Sequence, residues 1–274
     1  MNINLKTNIM FKYLQIEWMK IKNYRVFQVF SILYLLGIIV IIYIFYKVYI
    51  SIIGELQKAM TGSNSEGRDI LGIFSSEYLP YTVCFWTSLL LYLPGMIIIN
   101  LFINEVNFKT HRQNIIDGWK RETFIFTKIS LIACISAAIM IMNFLAMVIM
   151  AQIVDTEITK EAVIVSLFSF LQAFVYLMLA LFLATFFRKS GIATIVYFIY
   201  GLILEWILWW LVVKIDPSLP HFLPLQSSDS LIPFTRFREL YKDLPSVGVS
   251  LAVVIGYALL FVTLSVRKYK YDDL

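Results

Sequence analysis

Apolar residues in this chain gather into six long runs, approximately Phe27–Ile50, Val83–Ile103, Ile129–Ala151, Val163–Phe187, Ile192–Val213 and Ser246–Val266. A helix rises about 1.5 Å per residue, so roughly 20 apolar residues cross the hydrocarbon core of a bilayer. Each run has that length, and only the fifth carries a charge well inside its ends, Glu205. The pattern predicts an all-α membrane protein with six transmembrane helices.

Polar intervals between the runs carry their own patterns. In residues 9–24, Phe11, Leu14, Trp18 and Ile21 recur at helical spacing, with Lys12, Gln15, Lys20 and Lys22 on the other positions. That is a basic amphipathic helix suited to the headgroup boundary, either as a plain anchor or as an elbow that also meets a partner. Residues 51–82 are glycine-bearing around Thr61–Gly67 and read as a loop mobile at its tip. The stretch Gly62–Asp69 misses a phosphate-binding loop, because Arg68-Asp69 stands where Lys and Ser or Thr are needed after the second Gly. In residues 214–245, Pro217, Pro220, Pro224 and Pro233 interrupt apolar sequence. Short helices at, or dipping into, the interface fit that interval, as a cap on an exit path or as structural lid material.

Basic residues fix the expected orientation. Lys6, Lys12, Lys20, Lys22 and Arg25 precede the first run, and Lys109, Arg112, Lys120, Arg121 and Lys128 lie between the second and third. Arg188 and Lys189 join the fourth and fifth, and Arg267, Lys268 and Lys270 follow the last. These segments fall on one side, hold fifteen of the 23 Lys and Arg, and should be cytoplasmic with both termini. A multi-pass protein of the cytoplasmic (inner) membrane follows.

Composition agrees: 60% of residues are hydrophobic, 15% are charged, and mean hydropathy is +0.79. The first 26 residues are too polar for a signal peptide, so the first run should remain as a helix. One domain over residues 1–274 is expected, with an elbow region at 1–26, a membrane domain at 27–266 and a tail at 267–274. The formal charge of +5 follows the membrane topology and does not suggest nucleic acid. Cys84 and Cys134 have no partner at a metal or redox spacing and read as packing residues. His111 and His221 are the only histidines and fall on opposite sides, and no nucleophile–base pair or metal-ligand cluster stands out. A membrane enzyme is therefore disfavoured, and no metal site or bound cofactor is expected on this chain.

The interval between runs two and three is the most specific part of the sequence. It joins charges to an apolar trio, Ile115, Ile116 and Trp119, with a break at Gly118. A solvated basic loop against anionic lipid would account for the charges but not for the trio. A short helix docked in another protein's groove accounts for both.

Here the chain resembles the type 2 ATP-binding-cassette (ABC) permeases. Their loop has an acidic residue at the end of span two, Thr five residues on, Arg eleven further and Lys seven beyond. Glu105, Thr110, Arg121 and Lys128 match that spacing. Arg112-Gln-Asn-Ile-Ile-Asp117-Gly118 looks like a variant in permeases of the Bacteroidetes lineage. The chain departs at Lys109, where Gly is usual, and at Gly118, where Pro is common. The Ile16–Lys22 stretch resembles the family's elbow helix. The resemblance implies a coupling helix between spans two and three, flanked by Glu105 and Lys128, with Ile115, Ile116 and Trp119 as buried contacts. It also implies a separate ABC ATP-binding subunit carrying ATP and Mg, and a second permease chain as homo- or heterodimer. The function implied is ATP-driven outward movement, or extraction from membrane lipid, of an amphiphilic substrate. The alternative is an ABC-like membrane component that powers or anchors an envelope machine without transporting a solute.

Within the membrane, Glu205 should face the bundle interior or a dimer interface, because a lipid-facing carboxylate costs about 2.5–3.5 kcal/mol. A proton or cationic-substrate site is one role. The favoured one is a structural hydrogen bond, for example to Asn143 or Gln172, the other central polar groups. Trp206, Trp209 and Trp210 read as an interfacial belt more readily than as an aromatic cage.

Overall fold

The computed structural model describes residues 13, 15–59, 72–110, 113, 116, 121–234 and 243–271. All regular structure among them is helical. A short helix α1 (15–22) leads into the spans α2 (Arg25–Ala59), α3 (Leu79–Asn107), α4 (Arg121–Ile153), α5 (Lys160–Phe187) and α6 (Ser190–Val212). A one-turn helix α7 (Gln226–Asp229) and the last span α8 (Val247–Tyr271) follow. All six predicted runs are helices long and apolar enough to cross a membrane, and the chain is a multi-pass membrane protein. The helices α2 and α4 overrun their apolar cores, starting at Arg25 and Arg121.

The bundle is built around α5, which packs against α3, α4, α6 and α8. It earns that place by composition: Ala173, Ala180 and Ala184 are fully buried and let neighbours approach closely. By contrast α2 packs mainly on α3 and α4 and leaves Ile32, Leu36, Ile39, Val40 and Tyr43 exposed along its length. In the second span, Pro94 has no N–H to give to residue 90, and a 3-10 turn at Leu89–Leu91 sits just before it. The α3–α6 contact is reciprocal. Tyr197 covers Gly95, Tyr92 covers Gly201, and the two rings lie 5.4 Å apart. A Cβ at either glycine would collide with the facing ring.

Chain segments separated in sequence meet at each end of the bundle. At one end Arg121 donates to the Lys270 carbonyl at 3.1 Å, and Tyr269 stacks on Phe124 at 5.1 Å. At the other, Thr159 donates to the Ser76 carbonyl and Tyr81 to Glu161, both at 3.3 Å. The Thr61–Gly67 tip lies outside the described residues.

The proline-interrupted interval does form short helices, at Leu219–Phe222 and α7. They dip between the spans. Asp229 accepts from Gln172 Nε2 at 2.8 Å and from Tyr176 at 3.1 Å, and Tyr257 donates to the Phe222 carbonyl at 2.9 Å. Gln172 and Tyr257 lie twelve and ten residues inside their helices, so the segment reaches roughly 15 Å below the helix ends. Leu225, Leu231 and Ile232 are buried there in protein. Irregular backbone at such depth is tolerated only when protein covers it and its polar groups are paired.

Glu205 supplies that pairing. Its Oε1 accepts the backbone N–H of Leu225 at 2.6 Å and of Gln226 at 3.1 Å, donors at the start of α7 that have no helical partner. A π-helical turn over Tyr200–Leu204 immediately precedes it. Glu205 is thus structural in its contacts, but the expected partners are corrected. Gln172 bonds Asp229, and the buried Asn143 leaves its Oδ1 without a hydrogen-bond partner among the described residues. A re-entrant backbone, not another span's side chain, needed the carboxylate. Replacement Glu205→Gln keeps an acceptor and should change stability by less than about 1 kcal/mol, whereas Glu205→Leu orphans two buried N–H groups and should cost about 2–4 kcal/mol. Thermal unfolding in detergent measures both, and equal melting temperatures for the Leu variant and the parent would refute this role.

Candidate functional site

The amphipathic helix α1 turns an acid, not only apolar side chains, toward the bundle. Glu17 and Ile21, one turn apart, are both 1% exposed, while Trp18 is exposed. Ile21 packs with Ile97, Leu101 and Leu131 of α3 and α4. Phe11 lies outside the described residues, as does Leu14.

Glu17 meets Lys128, which is 4% exposed and lies two turns into α4. The Lys128 ammonium donates to Glu17 and, at 2.6 Å, to Glu105 Oε1 near the end of α3. Lys20 closes the group, 3.1 Å from Glu17 and 3.7 Å from Glu105. Two carboxylates and two ammonium groups therefore form one neutral, mostly buried cluster. Burial pushes the Glu17 carboxyl up, but Lys128 and Lys20 beside it outweigh that and hold it below the usual carboxylate range. Tyr24, between α1 and α2, accepts a further bond from Asn104.

The cluster brackets the loop that the sequence singles out. Thr110 is exposed, and its hydroxyl donates to the Glu105 carbonyl at 3.2 Å, tying the loop's first turn to α3. Lys109 adopts a left-handed backbone with φ of 56°, and its N–H bonds the Val106 carbonyl at 3.1 Å. That is the conformation glycine supplies most easily after a helix, so the Lys109 departure leaves the turn in place at some backbone cost. Ile116 is 83% exposed, an apolar side chain that no described residue covers. Arg112, Ile115, Asp117, Gly118 and Trp119 lie outside the described residues. Arg121 donates to the Lys270 carbonyl, and Glu122 pairs with Lys270 at 2.6 Å on the surface.

The three intramembrane polar residues do not form one site with each other. Glu205 and Gln172 both serve the re-entrant segment, and Asn143 does not join them. Two participants escaped the sequence reading. Glu17 could have been found as an acid one turn before Ile21 on the face that packs. Asp229 lies in a run of serines and gave no signal. Cys84 is buried, and Cys134 is exposed on α4. Among the described residues no three His, Cys, Asp or Glu side chains converge to hold a metal.

What the arrangement can do is mechanical. One ammonium joins the end of α3, the start of α4 and the helix α1, so displacement of the intervening loop is shared by all three. Lys128→Met leaves two buried carboxylates facing each other and should cost about 3–5 kcal/mol. Glu17→Gln keeps the Lys128–Glu105 pair and should cost less. Because the folded state holds the Glu17 carboxyl low, its contribution is full above the unfolded value near 4.5 and disappears as pH falls through the lower folded value. Melting curves of the detergent-solubilised protein should show this acid loss in the parent and a shallower one in Glu17→Gln. Identical pH dependence in the two would contradict the charge assignment.

Comparison with known proteins adds a family and no function. No curated protein matches the chain, and no solved structure does. Residues 60–274, beginning directly after α2, match the family described as "Protein of unknown function (DUF2705)". The chain belongs to the DUF2705 family.

Proposed function

We propose that this chain is the membrane permease subunit of an ATP-driven exporter of the type 2 ABC class. Two permease chains would work with separate ATP-binding subunits that carry ATP and Mg, and this chain would contribute no hydrolytic chemistry of its own. The 108–120 loop would be the docking element on the cytoplasmic face, with both termini on that side. The observation that carries the reading is the Lys128 cluster, which grips Glu105, Glu17 and so both ends of the loop. Motion of a docked partner would pass through it into α1, α3 and α4 as a unit. The exposed Ile116 supports the same reading, since a solvated loop has no use for it. The substrate class is an amphiphile moved outward or extracted from the bilayer.

A docked helix concentrates its binding energy in few apolar anchors, and truncating a central one costs about 2 kcal/mol, or roughly thirty-fold in affinity. Trp119→Ala, or Ile115→Ala with Ile116→Ala, should release the ATP-binding subunit on co-purification or uncouple its ATPase rate in lipid. Arg112→Ala should do less, as a rim charge screened by salt. If the Trp119 and Ile variants co-purify and hydrolyse ATP like the parent, this loop is not the coupling element.

A further inference from the structure

A cavity of about 400 Å³ opens between α1, α2, α3 and α4 on the end of the bundle that carries the ion cluster. That volume is within the range of small-ligand sites. Phe30 and Tyr34 of α2, Ile97 of α3, and Leu131, Cys134 and Ala138 of α4 supply much of its wall. The α4 contributors run on to Met142 at helical spacing and make a continuous stripe. From Leu131 to Met142 that stripe is about 16 Å long, close to half of a roughly 30 Å hydrocarbon core. The groove has the depth of one leaflet.

Its shallow end differs from the rest. Trp18 lines it and packs edge-on against Phe27 at 6.2 Å, placing an indole where interfacial aromatics are favoured. Lys22 lies one turn beyond Trp18 on the same helical face, and Arg25 opens α2 two residues before Phe27. Both basic side chains are exposed, and neither has an acidic partner among the described residues, unlike Lys20 and Lys128. An apolar slot of leaflet length ending at two uncommitted cations matches one chemistry on both counts.

We infer that this groove is a binding site for an anionic glycerophospholipid, with one acyl chain along Cys134 and Ala138 and the phosphate headgroup at Lys22 and Arg25. A second protein helix would satisfy the apolar wall but not the two cations. The site holds whether or not the chain couples to an ATPase. Lipid in the groove would wedge α1 against α2 and α4 beside Glu17, so its presence would stabilise the packed position of α1.

Cys134 makes the test direct, because it is exposed in the groove while Cys84 is buried. The full chain is purified in detergent, supplied with phosphatidylglycerol or phosphatidylcholine, and followed by native mass spectrometry and by the rate of Cys134 alkylation. The expected result is one phosphatidylglycerol retained per chain, with alkylation slowed in proportion. Phosphatidylcholine should be held about ten-fold or more weakly, as expected for two cations near a headgroup. Ala138→Phe fills an exposed position on the groove wall and should abolish retention. Lys22→Gln with Arg25→Gln leaves the slot intact and should erase the preference for the anionic lipid, which keeps the test decisive if the Phe variant fails to fold. Equal retention of both lipids by the parent, retention undiminished in Ala138→Phe, or no retained lipid at all would overturn the proposal. So would Cys134 protection that follows protein concentration and not lipid, since a second copy would then be the occupant.

Discussion

Lys128 is the point on which one end of this molecule turns. Taking an ammonium and two carboxylates out of water is costly, and their attraction restores that cost only when the geometry is shared and every hydrogen is used. The net gain over apolar packing is therefore small, but removal of Lys128 leaves two buried carboxylates without their shared ammonium. Such a cluster specifies an arrangement more than it strengthens one. Here the arrangement is the meeting of α1 with α3 and α4, which belong together only if Glu17, Glu105 and Lys128 coincide. The amphipathic helix is thereby docked by charge at Glu17 and by apolar contact at Ile21.

The opposite end solves a different problem with the same chemistry. A segment that dips among transmembrane helices cannot leave backbone donors unpaired, and the start of the one-turn helix α7 exposes two. Glu205 accepts both, while Asp229 is held by Gln172 and Tyr176. At this end Glu205 secures backbone and Asp229 ties α7 to α5, whereas the acids of the other end join helices. Between them α5 and the interlocked Gly95–Tyr197 and Gly201–Tyr92 pairs hold the spans at close range.

The spans were legible because hydrophobic length is a one-dimensional property and lipid leaves the backbone few alternatives. Glu105 and Lys128 were legible as flanks of one loop through the family resemblance that their spacing carries. Their common partner was not, because Glu17 lies 111 residues from Lys128 and no local pattern links them. Glu205 was recognisable as an interior residue from its cost in lipid, yet its partner was misjudged. Sequence periodicity places side chains on faces, but it does not show that a loop between two spans turns back into the bundle. The prolines at 220 and 224 announced a broken segment without fixing its depth. Lys109 was read as a departure from glycine, and the left-handed backbone there shows that the turn itself is kept.

The central claim is that the loop held by the Lys128 cluster faces the cytoplasm, where an ATP-binding partner could reach it. In a background lacking Cys134, single cysteines at exposed positions 158 and 116 sit at opposite ends of the bundle. A membrane-impermeant maleimide added to intact cells should label Ile158→Cys and leave Ile116→Cys unlabelled until the membrane is opened. Labelling of Ile116→Cys from outside would contradict the account, because a docking loop on the outer face has no ATP-driven partner to receive.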